Sequence, residues 1–142
     1  MPDNPLSPAQ RRVLDDALRL VRDQRERAEA EGAPLAPSEA WATPFGLGYL
    51  LGAVDGLCQT HGAPFDGLAL AVWGLVLDDT FGRPASDRLR RRGLDALNAD
   101  DAGFGRGRTW GGNEATGFAA GRLVPVGLVH LAHGREAQMG GG

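Results

Sequence analysis

The sequence predicts an all-α fold: a compact bundle of four or five helices around a glycine-lined antiparallel helical hairpin. Three observations lead there. Helix start and stop signals bracket a run of apolar segments. In the central stretch, Gly48, Gly52 and Gly56 recur every fourth residue and so share one helical face. A second segment (Gly67, Ala71, Gly74, Asp78) and a third (Gly117, Gly121, Pro125) carry small residues in the same rhythm. Glycine inside a helix costs about 1 kcal/mol relative to alanine. A stripe of it implies that two main chains approach closely.

The 142 residues suffice for one domain, 1–142, with its own core. Residues 1–6 and 135–142 are expected to be disordered tails. The first helix opens on a capping box, Ser7 with Gln10 and Pro8 between, and runs to about Glu31. Val13, Leu14, Ala17, Leu18, Leu20, Val21 and Ala28 form its apolar face. Its charged far end, Arg22 to Glu31, is expected to project beyond the core. A proline-broken connector, Gly32 to Ala42, follows, with Ser38 capping one turn that carries Trp41.

Thr43 and Pro44 start the central helix, and Gly62 stops it after His61. Pro64 is expected to start its hairpin partner, which ends near Phe81 before Gly82 and Pro84. Counting outward from the turn places Gly52 opposite Gly74 and Gly48 opposite Asp78. Ser86 caps a short helix from Asp87 to about Asn98. The glycine-rich stretch Asp101 to Gly112 reads as a loop. The last helix, capped by Asn113, runs from Glu114 to about His133 with a kink at Pro125.

Composition excludes several chemistries. The chain has 22 glycines, a net charge of −3 and no lysine or isoleucine. Without lysine there is no Schiff base and no phosphate-cradling lysine loop. The arginine-only basic complement reads as the product of a GC-rich, bacterial genome. The negative balance disfavours nucleic acid. Arg88, Arg90, Arg91 and Arg92 cluster, but without interleaved aromatics they read as a solvated face. A lone cysteine, Cys58, and the absence of a secretory signal suit the cytoplasm. The apolar runs Phe45–Val54 and Gly67–Leu77 are about half the twenty residues a membrane span needs, so a membrane role is disfavoured.

Candidate site residues fall into three groups. Asp55 and Asp78 lie on the small faces, with Asp79, Glu114 and Arg122 as companions in a ligand site or, for the acids, a divalent-cation site. Arg106 and Arg108 in the glycine loop are candidates for holding an anion, although Glu114 opposes this. Trp41 and Trp110 are candidate interface aromatics, Trp41 also being a candidate lid for the core. Nucleophiles are scarce: Ser7, Ser38 and Ser86 read as helix caps. Cys58 with His61, and His130 with His133, read as structural pairs.

Asp78-Asp79-Thr80 and Gly111-Gly112-Asn113-Glu114-Ala115-Thr116 together resemble two elements of the ADP-ribosylglycohydrolase family. In that family the elements hold paired Mg²⁺ ions. The second element departs from the family at both acidic positions and the chain is far shorter, so no activity is carried over. The leading functional expectation is a non-enzymatic interaction protein that associates with itself or another protein and needs no cofactor. The alternative is a small enzyme or ligand-binding protein dependent on Mg²⁺ or another divalent cation. No catalytic residue is assigned.

Overall fold

A computed structural model of the chain describes residues 6–135. Among these there are seven helices and no strand: α1 (Pro8–Ala30), α2 (Pro37–Ala40), α3 (Pro44–His61), α4 (Gly67–Phe81), α5 (Ala85–Asn98), α6 (Ala102–Ala119) and α7 (Gly127–Ala132). The all-α expectation holds, with two short helices beyond the four or five expected. The expected tails lie outside the described residues, except Leu6, which packs on the core, and Arg135, whose N–H donates to the His130 carbonyl.

Helix α3 is the axis. Its ends form as the sequence dictates: the Thr43 hydroxyl accepts from Gly46 N–H at 3.1 Å, and Gly62 stops the helix in the left-handed region at φ 70°. Thirteen of its residues, from Phe45 to Cys58 except Asp55, are buried, so it is enclosed on nearly every side. Around it lie α1, α4, α5, α6 and α7.

The glycine stripe does line a tight seam, but its partner is α6 rather than α4. A Cβ at Gly52 would stand 2.7 Å from the carbonyl carbon of Arg108, and one at Gly56 would stand 2.7 Å from the Gly112 carbonyl oxygen. Gly48 meets Phe104 in the same way. From the other side, Gly107 abuts Phe45 and Gly111 abuts Tyr49. Both sets of numbers rise together, so α3 and α6 run parallel. Each helix turns the bare side of its glycines onto the other's carbonyls, an arrangement that permits weak Cα–H···O contacts.

The expected pairings of Gly52 with Gly74 and Gly48 with Asp78 are therefore wrong. On α4, Gly67 and Ala71 are exposed, and Gly74 lies against the guanidinium of Arg90 from α5.

The stretch Asp101 to Gly112 is helical rather than a loop. Asp101 caps α6 by accepting from Phe104 N–H at 2.9 Å, and Asn113 lies inside the helix. Gly107 and Gly111, four apart, fit against α3, and that contact overrides the weak helix preference of glycine. The last helix is likewise not continuous. Gly121 takes φ 71° and ends α6, and the chain passes through Pro125 in non-helical form before α7. Proline and a left-handed glycine together break a helix that proline alone was expected to kink.

Smaller corrections follow the same logic. Helix α4 begins at Gly67, where the Asp66 carboxylate caps Leu68 and Ala69, three residues beyond Pro64. Ser86 lies within α5, buried, and donates to Asp78 rather than capping. Ala36, not Ser38, is the residue before α2. The capping box of α1 forms as expected, with both bonds at 2.9 and 3.1 Å. Its far end does not project: Gln24 and Ala28 are buried, Arg25 donates to the Thr80 carbonyl and Arg27 to the Pro125 carbonyl.

Candidate functional site

The most organised polar feature is buried where α1, α3, α6 and α7 converge. Helix α1 presents Gln24 between Leu20 and Ala28 on its apolar stripe, and α3 presents Tyr49 from an otherwise apolar helix. Helix α6 adds Glu114, 8% exposed. Gln24 Nε2 donates to the Tyr49 hydroxyl at 3.0 Å, and that hydroxyl donates to Glu114 Oε1 at 2.5 Å. The same Oε1 accepts from the N–H groups of Gly127 (2.9 Å) and Val126 (3.2 Å). Gln24 Oε1 accepts from Leu128 N–H at 2.8 Å, and the Leu128 carbonyl accepts from the Trp41 indole at 2.8 Å.

The first N–H groups of α7, orphaned in any helix, are thus satisfied by side chains from α6 and α1. Burial, reinforced by the charge and hydrogen bond of Glu114, raises the Tyr49 phenol well above its ordinary pKa. It stays protonated and donates. Gly127 admits no side chain there, because a Cβ would meet the Tyr49 ring at 2.5 Å and Glu114 at 3.1 Å.

Beside this network, Trp110, Asn113, Glu114 and Leu123 line a surface pocket of about 250 Å³. Trp110 is half-buried with its Cδ1 edge toward Gly127, and Leu123, from the α6–α7 connection, is 40% exposed.

The other expected site residues do not assemble. Asp55 pairs with Arg108 at 3.5 Å beside a polar groove that Gln59, Thr109, Asn113 and Thr116 also line. Asp78 accepts from Ser86 and, at 3.0 Å, from Arg83; the Arg83 bond is the main cause of its lowered pKa. Asp79 pairs with Arg22 of α1 at 2.7 Å. Glu114 has partners of its own. Arg122 is exposed after α6, and the arginines beside Asp55 and Asp78 are Arg108 and Arg83 instead. Among the described residues, no three of the His, Cys, Asp and Glu side chains stand close enough together to hold a metal ion.

Arg106 and Arg108 project from a helix rather than from a glycine cradle, and Arg108 lies over the Phe65 ring at 5.1 Å. Trp41 is fully buried, so it lids the core from inside and is not a surface aromatic. Trp110 keeps part of its ring in reach of solvent.

The cysteine–histidine pair does not operate as a dyad. Burial, aided by Asp55 and Asp66, pushes the Cys58 thiol up to about 11, and His61 turns instead to Asp16 at 2.7 Å. His130 is held toward its neutral form, first by burial and then by Arg135, while His133 bonds Glu31 at 3.0 Å.

Sequence reasoning missed Gln24 and Tyr49. The signal was present: a glutamine within an apolar stripe, and the chain's one tyrosine inside the apolar run Phe45–Val54. Buried polar groups need partners, and two in neighbouring helices imply each other.

These features define the class of molecule: an all-α body keyed on a parallel, glycine-lined helix pair, with a buried carboxylate beneath a small aromatic pocket. Comparison with known protein families, with curated proteins and with solved structures yields no match. Among the described residues, no helix is long and apolar enough to cross a membrane.

Proposed function

We propose that the chain is a non-enzymatic helical interaction protein that self-associates through the surface around Leu123 and Val124. The observation that carries this reading is the exposure of two adjacent aliphatic side chains, Val124 at 66% and Leu123 at 40%, in the α6–α7 connection. They line a groove of about 370 Å³ together with Phe118, Pro125, Arg27 and Asp23. Apolar side chains presented together mark contact sites more often than scattered ones do. A two-fold contact would bury the patch of one copy against that of the other.

The state of the nucleophiles supports the non-enzymatic part of the reading. Ser7 is a cap, Ser86 is buried on Asp78, and the Cys58 thiol is held protonated at neutral pH. The test is light scattering coupled to size exclusion over a wide concentration range. A defined oligomer that becomes monomeric on Val124→Asp is the expected result. A wild-type chain that stays monomeric at every concentration refutes self-association, and an oligomer indifferent to Val124→Asp refutes the surface.

A further inference from the structure

Glu114 is more than nine-tenths buried, yet none of the ion pairs among the described residues includes it. Its hydrogen-bond partners are all donors: the Tyr49 hydroxyl and the N–H groups of Val126 and Gly127. Those donors are unevenly shared. Oε1 takes Tyr49, Gly127 and Val126, whereas Oε2 has only a share of the Val126 N–H at 3.2 Å. A carboxylate offers about four acceptor positions, so Oε2 keeps acceptor capacity in hand.

His130 does not supply a counter-charge. It feels Glu114, but burial and Arg135 favour its neutral form. Arg27, whose charge reaches Tyr49, donates to the Pro125 carbonyl at 2.8 Å and makes no ion pair with Glu114. A buried carboxyl group without an ion-pair partner is costly to keep charged. This one also lines a pocket open to solvent, together with Trp110, Asn113 and Leu123.

We infer that this pocket binds a small primary alkylammonium, its charged end on Glu114 Oε2 and its carbon stem between Trp110 and Leu123. Aromatic and carboxylate groups together are the general means of holding an organic ammonium ion. The pocket is small, about 250 Å³, which limits the ligand to a few carbons. The chain contains no lysine, so no lysine side chain of a second copy competes for the site.

Trp110 supplies the reporter, since Trp41 and Trp73 are fully buried. The ¹⁵N-labelled chain is titrated with butylammonium chloride, followed by the indole signal of Trp110. Parallel titrations use butan-1-ol and, for ionic strength, sodium chloride. The expected result is a saturating shift with butylammonium by about 50 mM, as a millimolar Kd requires. The alcohol and the salt should give no saturable shift.

Glu114→Gln should weaken binding at least about tenfold. If that variant does not fold, Leu123→Trp, which fills the pocket from its exposed side, decides instead and should abolish binding. The proposal is overturned by no saturable shift in the wild type, by equal binding of alcohol and ammonium, or by binding retained in either folded variant. Repeating the titration on Val124→Arg, which should break self-association without adding a negative charge, separates this result from the self-association reading: saturable binding retained there belongs to the pocket of the single chain.

Discussion

Substituting alanine for Gly52 tests the α3–α6 seam through the sign of the stability change. In an ordinary helix interior the substitution is favourable by about 1 kcal/mol, because alanine is the better helix former. At Gly52 the new methyl would lie 2.7 Å from the carbonyl carbon of Arg108 and 2.8 Å from its Cα. Comfortable carbon–carbon contact is about 3.5–4.0 Å, so the helices must separate by about 1 Å. Both surfaces are backbone and neither can swing aside.

Overpacking of this kind costs about 1–3 kcal/mol, and contacts loosened elsewhere along the seam add to it. After the propensity gain is subtracted, overpacking alone leaves a net loss of up to about 2 kcal/mol, and the loosened contacts add to it. At about 4 °C per kcal/mol, the melting temperature should fall by several degrees, up to roughly 8 °C from overpacking alone. Gly105→Ala is the internal control: the same helix pair, but a Cβ there meets nothing within 4 Å. It should raise the melting temperature by a few degrees. Both are read by thermal unfolding followed by far-UV circular dichroism. A Gly52→Ala chain that melts at or above the wild-type temperature would refute the tight seam. An equal fall for Gly105→Ala would show that the effect belongs to glycine content rather than to close approach.

Two further outcomes follow from the buried groups. Tyr49→Phe removes the hydroxyl that links Gln24 to Glu114, leaves both short of a partner and should destabilise by about 1–3 kcal/mol in urea unfolding, without loss of helix content. The Cys58 thiol, pushed up to about 11 and buried, should resist a disulfide reagent at pH 8 in the folded chain and react at once in urea; rapid labelling under native conditions would contradict that burial.

The sequence made the ends of α1 and α3 legible, because their caps are local: Ser7 with Gln10, Thr43 with Gly46, and Gly62 as a stop. It also showed that the glycine face of α3 is a contact surface. It did not show which helix meets that face. Periodicity marks a seam without identifying its other side, and the short Gly62–Asp66 connection made α4 the natural guess. The true partner was hidden by composition. Gly103, Gly105, Gly107, Gly111 and Gly112 look like a flexible loop when weighed one at a time. Helical order there depends on α3, a tertiary influence that local preference cannot contain. The dispersal of Asp55, Asp78 and Asp79 was illegible for the same reason: each found an arginine from another part of the chain or the next turn. Glu114 was singled out as a companion of Asp55, Asp78 and Asp79, but its actual neighbours Tyr49 and Gln24 arrive from helices far away in sequence.

The parallel seam also constrains how the protein is made. Two parallel helices cannot be joined by a tight turn, and here the intervening chain spans α4 and α5. During synthesis α3 leaves the ribosome with its bare flank uncovered, and it waits for two more helices to emerge before its mate exists. Folding must close that long loop before its most intimate contact forms, which places this small helical protein among slower folders than its helix content suggests.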